Sequence, residues 1–536
     1  MLQIELFPAP SPIPHPLSPT RWPGITPESV QTLRELLKEN YKKWHICFNE
    51  IKFHNHITHR LLALWALGAG SQVLKAAYEF DSKEGNQRFA VAPTKTITVD
   101  EFRHHFGDEN YFGAYVNFFI DLLAVKNGNG AAVLEEFVFS SRADLRMRTR
   151  FFGGLLHSFI HVGYGLEFGI PGMVVQGLAL AATHSDTPGF DILIHRSTSP
   201  GDVTGVDKLV SGVKDTLSLG AGPKNIRRTD THALTILARV MKDPEMDCKF
   251  LDPQQLFSFF ANDQKARALL RHVNQWSLDT SDPKELEKKI EELLWTNTLI
   301  FTAAGLLKAE RKKVRADFYL MHLVTSSLFL PSLATNLSPS SQQALLRSYL
   351  TVSLAVYIAR GRPVLDVGQV FDVSLSLDNI NLNGYDDDSL ATAPETPTLN
   401  DVATPQPQPA EPAEPGSQSK SKPESLTIGT ASGRVKPNPW HTIIPHSLLH
   451  LDDHLPKFQR AVAHYASIYG HCPRGCFSGR GIELKGIDRL DGTLFVRAGI
   501  LAYNRVGRER GGRMLLSYWD FKGFYGVKRR RKMIQS

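Results

Sequence analysis

The chain has little cysteine for its length, with Cys47, Cys248, Cys472 and Cys476 in 536 residues. That is too few for a disulfide framework. Cys472-Pro-Arg-Gly-Cys476 offers half of a zinc site and no second pair completes it, so free thiols are expected. Long apolar runs are missing as well. None approaches the ~18 residues that span a membrane, and the proline-rich opening (Phe7-Pro-Ala-Pro-Ser-Pro-Ile-Pro) lacks the basic-then-apolar layout of a secretory signal. A reducing, cytoplasmic setting is the expectation. There is no Walker loop, no Gly-x-Ser-x-Gly elbow and no Cys-x-x-Cys-His haem attachment. Gly68-Ala-Gly70 lies inside a helical run and lacks a third glycine, which argues against a dinucleotide or flavin fold. Charge of one sign is scarce too: the net charge is +7, and Lys528-Arg-Arg-Arg-Lys532 alone supplies five positive charges. The rest is nearly balanced, so nucleic acid is not an expected partner.

What is present reads as mainly α. Hydrophobic residues make up 42% and charged residues 21%, which suits an ordinary protein with a large buried core. Period-two alternation is rare and no repeat of fixed period occurs. Thr26-Pro27-Glu28 and Asp282-Pro283-Lys284-Glu285 are helix starts, each with a capping side chain, proline at the first helical position and an early carboxylate. Residues 101–125, 131–145 and 491–504 also read as helical, and 185–230 as a mixed, lid-like stretch. The expected layout is an irregular arm over 1–25 and a large single α-helical domain in two parts, 26–383 and 438–525. The Pro/Ser-rich stretch 384–437 cannot bury enough apolar surface to order itself and is expected to be a disordered insertion. A basic tail occupies 526–536.

Histidine set beside apolar helical sequence is the unusual feature, and it occurs in four separate segments. Phe53-His54-Asn55-His56-Ile57-Thr58-His59-Arg60 leads into Leu-Leu-Ala-Leu-Trp-Ala-Leu-Gly, which is apolar nearly all round and therefore buried. Imidazoles at its start cost free energy unless paired or ligated. Phe151-Phe-Gly-Gly-Leu-Leu-His157-Ser-Phe-Ile-His161 places two histidines four apart within one apolar helix, with Tyr164 and Glu167 following. Asp317-Phe-Tyr-Leu-Met-His322 sets another in an apolar helix. The fourth is His446-Ser-Leu-Leu-His450-Leu-Asp-Asp-His454-Leu-Pro456-Lys457. Pro456 is tolerated only in a first turn, so a helix begins near Asp453 and His446 and His450 sit on a separate segment. One such histidine is more often a hydrogen-bonded structural imidazole. Four segments converging would form a bundle-core metal site, although His-x-x-x-His without the zincin glutamate specifies no metal.

Together, Asn55-His56-Ile-Thr-His59-Arg-Leu-Leu-Ala-Leu-Trp, Gly154-Leu-Leu-His157-Ser-Phe-Ile-His161-Val-Gly-Tyr-Gly-Leu-Glu167, Asp317-Phe-Tyr-Leu-Met-His322, Asp453-His454-Leu-Pro-Lys457 and Asp491-Gly-Thr-Leu-Phe-Val-Arg497 resemble successive signatures of the questin oxidase-like family. These are fungal oxygenases of polyketide secondary metabolism, and the resemblance runs from about residue 30 to Phe524, broken by the insertion. It implies oxidative, Baeyer–Villiger-like opening of an anthraquinone or related aromatic polyketide. It also implies a histidine-rich non-haem iron centre that uses O₂, with a lysine that can be carboxylated as an anionic ligand. Carried over, the metal ligands are His56 or His59, His157 or His161, His322 and His454, with Lys457 as the lysine and Lys313 in reserve.

Physical chemistry is compatible with this assignment. O₂ activation needs a flavin or a redox metal, and no flavin fold is in view. A lysine takes up CO₂ only as the free amine, a form favoured by burial near a cation; the competing reading of Lys457 is a solvated amine at a helix start. Tyr164 and Glu167 are candidate catalytic or imidazole-orienting groups, with core and capping roles as the alternative. Phe53, Trp65, Phe151, Phe152, Phe159, Phe318 and Tyr319 suit a flat substrate or simply a core. Two rival readings remain open: an NADPH-dependent Baeyer–Villiger monooxygenase without resident flavin, and a non-catalytic helical scaffold.

Overall fold

In the computed structural model, the described residues are 4–48, 53–84, 87–198, 230–248, 257–279, 282–307, 314–375, 377, 429–430, 433–434, 438–507 and 519–525. Among them the chain forms eighteen α-helices, and the β structure named as strand is one two-residue pair, Gly429–Thr430 against Gly433–Arg434. The mainly α expectation holds. The remainder of the 384–437 insertion, the 526–536 tail, Lys313 and residues 199–229 of the expected lid lie outside the described residues. No helix among the described residues is long and apolar enough to cross a membrane.

The capping signals read from sequence act as expected. Thr26 Oγ1 accepts from Ser29 N at 3.1 Å and opens Pro27–Lys43, which buries Leu33, Leu36 and Leu37. Asp282 accepts from Lys284 N at 2.9 Å and opens Pro283–Leu306, whose second half is buried on all sides. Thr493–Val506 occupies the last predicted helical stretch. Elsewhere the helices are shorter than the pattern predicts. Residues 101–107 run in turns, Gly107 has φ +85°, and Asp108 caps a short 3-10 turn, so the regular helix is Phe112–Val125. The 131–145 stretch becomes Gly130–Leu134 followed by a π turn over Glu135–Phe139. Within the expected lid, Phe190–Ser197 is an amphipathic helix with Phe190, Leu193 and Ile194 buried against the body.

One continuous apolar core runs from Phe7 to Phe524, and Trp65, Trp276 and Trp295 are among its largest fully buried side chains. Helices Leu145–Phe168 and Pro171–Thr183 form its densest contact. Against it pack Ile57–Ala66 and Phe318–Ser327, and His454–Tyr469 packs against both of these, so that the elements that matter for chemistry adjoin.

Candidate metal centre

Each of these helices is anchored so that one histidine arrives at a common point. Asn55 sets the entry to Ile57–Ala66: its Oδ1 accepts from Ile57 N at 3.0 Å, while its Nδ2 donates to Asn40 Oδ1 at 3.1 Å. Asp317 caps Phe318–Ser327 through Tyr319 N and Leu320 N, and its carboxylate is gripped by Arg360 at 2.8 Å in a fully buried pair. Of the two adjacent aspartates, Asp452 caps His454–Tyr469, accepting from His454 N at 3.0 Å and Leu455 N at 2.8 Å. Trp519 Nε1 adds a third donor at 3.0 Å. Pro456 falls in the first turn, as the sequence requires, and Asp453 is left to face inward.

Leu145–Phe168 is not the continuous helix that its sequence suggests. Gly154, Leu155 and Leu156 have φ of +52°, +54° and +69°, a left-handed turn inserted in mid-helix. For L-residues this conformation costs roughly 1–2 kcal/mol each, so surrounding structure must hold it. A Cβ on Gly154 would stand 2.3 Å from His184 Nε2. The break turns the Gly154 carbonyl toward His157, whose Nδ1 donates to it.

The consequence is a consistent protonation pattern. A ring nitrogen bonded to a carbonyl or carboxylate oxygen has to carry the proton. His56 Nδ1 lies 2.9 Å from Asp453 Oδ2, and His454 Nδ1 lies 2.9 Å from Asp453 Oδ1. His322 Nδ1 donates to Phe318 O at 2.8 Å, and His157 Nδ1 to Gly154 O. For His56, His157 and His322, which burial keeps neutral, the bare lone pairs are then on Nε2. Those of His56 and His157 face each other at 2.7 Å in rings only 2° from coplanar. Two acceptors at that distance repel unless a cation answers both. His454 Nε2 is buried with no hydrogen-bond partner among the described residues. The ring centroids of His322 lie 5.3 Å from both His157 and His454. Between the rings a cavity leaves about 10 Å³ for the centre of a water-sized sphere, the room one water or one ion takes. Neutral imidazoles held through Nδ1 by carbonyl and carboxylate oxygens are how proteins present histidine to a metal, and this donor set suits a divalent first-row ion such as iron, zinc or copper.

Electrostatics agree. Burial, then the charge of Lys457, pushes His56 down to about 4. Burial and neighbouring imidazoles hold His157 and His322 well below the usual histidine range. Burial works to raise the Asp453 carboxyl, but His454, Lys457 and His56 around it keep it well below the carboxylate range. Lys457 Nζ donates to Asp453 Oδ2 at 2.6 Å, and Lys457 is 7% exposed. Asp453 thus binds two imidazoles and the lysine at once, which leaves its oxygens committed to donors.

Of the residues singled out by sequence, the structure brings His56, His157, His322, His454 and Lys457 around the cavity, with His59 and Tyr164 also on its wall. His59 Nε2 is engaged with His161 Nδ1 at 2.9 Å, a second rung of imidazoles one turn beyond the first. His161 does not line the cavity. Tyr164 stacks on His59 at 5.2 Å, and burial raises its phenol. Glu167 is ion-paired with Arg460 in the core, away from the cavity, and so joins two helices instead of orienting an imidazole. His446 and His450 lie on the Trp440–Leu449 helix and the residue that follows it, outside the cavity. Trp65, Phe151, Phe152 and Phe159 are core residues, while Phe318 touches His322 and His454. Sequence reasoning missed the inward role of Asp453 and the carbonyl of Gly154; it named His54 in the first segment but not as a ligand, and that ring stacks on His157 at 4.3 Å. The dipeptide Asp452-Asp453 beside histidine was the available signal for the first.

Comparison with known proteins bears on what such a centre does. Residues 53–462 match the family described as questin oxidase-like. The chain is 28% identical over 327 residues to Baeyer-Villiger monooxygenase AacuH of Aspergillus aculeatus, an alignment covering 59% of this chain and 64% of that protein. It therefore spans just under two thirds of that relative. Oxidoreductase AflY of Aspergillus parasiticus is 27% identical, with 65% and 68% covered. A questin oxidase of Aspergillus terreus is 25% identical, with 62% and 70% covered.

Proposed function

The chain belongs to the questin oxidase-like family, and from that membership we propose that it is an oxygenase of fungal secondary metabolism. Its reaction is oxidative, Baeyer–Villiger-like ring opening of an anthraquinone or related aromatic polyketide at a non-haem iron centre. One observation carries the metal reading: four imidazoles whose Nδ1 atoms are tied to oxygen together line a cavity the size of an ion. His56, His157, His322 and His454 are the proposed ligands. A redox-active iron supplies the activation of O₂ that no side chain can.

The chain's own residues do the rest. Asp453 fixes the tautomers of His56 and His454, and the carbonyls of Gly154 and Phe318 do the same for His157 and His322. Lys457 is the fifth group. Its Nζ donates to Asp453 Oδ2. Once carboxylated, it would offer an anionic oxygen, and its repulsion from Asp453 would need the charge of a bound divalent ion to offset it. Tyr164, buried and protonated, stacks on His59 and closes the inner wall of the cavity. Ile160, Leu328 and Phe329 on the same wall exclude water.

The relative AacuH is named a monooxygenase, and a monooxygenase consumes two electrons from a reductant. NADPH is accordingly the second reading for the cofactor. Anaerobic reconstitution with Fe(II), followed by O₂ uptake on a panel of anthraquinones with and without NADPH, tests both. Uptake only with NADPH selects the second reading. No uptake under either condition, with iron bound, overturns the oxygenase.

A further inference from the structure

A flat polycyclic substrate does not fit a cavity with about 10 Å³ for sphere centres, so a reactant has to approach the imidazoles across one of the rings that wall them in. On the inner side stand Tyr164 and Phe329, 2% and 1% exposed and locked in the core. On the other side stands Phe318, edge-on to His322 at 4.6 Å and to His454 at 5.1 Å. Phe318 also stacks on Phe521 at 4.6 Å and 29°, and Phe521 is 49% exposed.

The backbone around Phe521 is pinned while its ring is left in the open. Phe318 N donates to Asp520 O at 3.0 Å and Asp520 N to Ala316 O at 2.7 Å. The carbonyl of Phe521 accepts from Arg360 Nη2 at 2.6 Å, and Arg360 in turn holds Asp317, the cap of the His322 helix. An exposed aromatic ring on a fixed backbone, one ring away from two imidazoles of the cluster, is placed to receive another flat ring. Exposed side chains rotate within nanoseconds, so Phe521 can clear the outer face of Phe318 without disturbing the helices.

Resting on the function proposed above, we propose that Phe318 and Phe521 form the docking platform for a planar aromatic substrate. The substrate's ring takes the outer face of Phe318, Phe521 folds over it, and a fused ring system, longer than one phenyl, overhangs toward His322 and His454. The platform selects for flatness and breadth. A narrow aliphatic ketone would gain nothing from it.

The test uses the full chain loaded with iron and kept anaerobic, with 1,8-dihydroxyanthraquinone as the probe, its Kd read by fluorescence titration and iron content measured alongside. Phe521→Ala should weaken binding about tenfold, Phe521→Tyr should stay within about twofold of the parent, and iron content should not change. In turnover, the alanine variant should raise KM and leave kcat near the parent value. Phe53→Ala serves as the control, since Phe53 is an exposed ring on the His54 side of the cluster, 56% exposed. A Kd for Phe521→Ala within twofold of the parent, or an equal loss from Phe53→Ala, overturns the platform and leaves the oxygenase reading standing. Failure of the iron-loaded parent to bind the probe overturns the platform and the proposed substrate class together.

Discussion

Two buried polar clusters in this molecule differ in one respect that separates structure from chemistry. In the first, Lys289 is fully buried and donates to Asp230 at 2.7 Å and to Glu292 at 3.0 Å. Glu292 also accepts from Ala233 N at 2.9 Å and Trp276 Nε1 at 2.8 Å. Donors and acceptors are matched, and the cluster joins the Ala233–Lys242 and Pro283–Leu306 helices. In the second, His56, His157, His322 and His454 have their Nδ1 atoms matched, while His454 Nε2 has no partner among the described residues and the Nε2 atoms of His56 and His157 face each other. A closed network stabilises a fold. An open one costs free energy in a core, and the proposed metal would offset that cost.

The comparison can be broken at either cluster. The largest expected effect is on turnover: His322→Ala should lower it about 10³-fold or more and cut iron content well below one per chain. Metal-free unfolding temperature should hardly move, and a fall as large as that expected for the Lys289 cluster would make His322 structural after all. Next comes Lys289→Ala, which strands the buried Glu292 carboxylate and should cost about 3–5 kcal/mol in denaturant unfolding. Iron bound per folded molecule should stay at the parent level. Asp453→Asn is smaller and more pointed. It weakens the anchoring of two ligands at once, so competition against a metal chelator should report a 10–100-fold loss of affinity, while an unchanged affinity would demote Asp453 to a helix-end residue.

The smallest effect is a pH dependence. The folded chain holds His56 down at about 4, whereas an unfolded histidine titrates near 6.5. As pH falls the unfolded chain binds the proton first, so stability is complete above pH 6.5 and declines toward pH 4. Between pH 6.5 and 5.5, His56 should account for about 1 kcal/mol in the metal-free protein. Denaturant unfolding of the parent and of His56→Gln at those two values checks it, since the variant should lose that share of the slope.

Much of the centre was legible because histidine inside apolar helical sequence is costly without a partner. All four segments named on that ground contribute to the cavity. The choice within His56/His59 and within His157/His161 was not legible. It depends on a left-handed turn at Gly154–Leu156 that no periodicity announces, and on the pairing of one helix with another. Nor does sequence say which of Asp452 and Asp453 caps the helix and which turns inward, because both suit a helix start. Glu167 left two readings open, imidazole orientation and a core role. A carboxylate six residues after His161 looks like a partner for an imidazole, yet its ion pair is with Arg460 from a helix nearly 300 residues away.

The strap formed by residues 519–525 reaches back across 204 residues, where Asp520 accepts from Ala316 N, and it also steadies the cap of the His454 helix through Trp519. During synthesis, therefore, a nascent chain carrying every histidine still lacks the clasp that seats two of them, and the pocket matures only after the ribosome has passed that strap. A fragment ending before it would keep the full set of imidazoles without the contacts that seat the helices of His322 and His454.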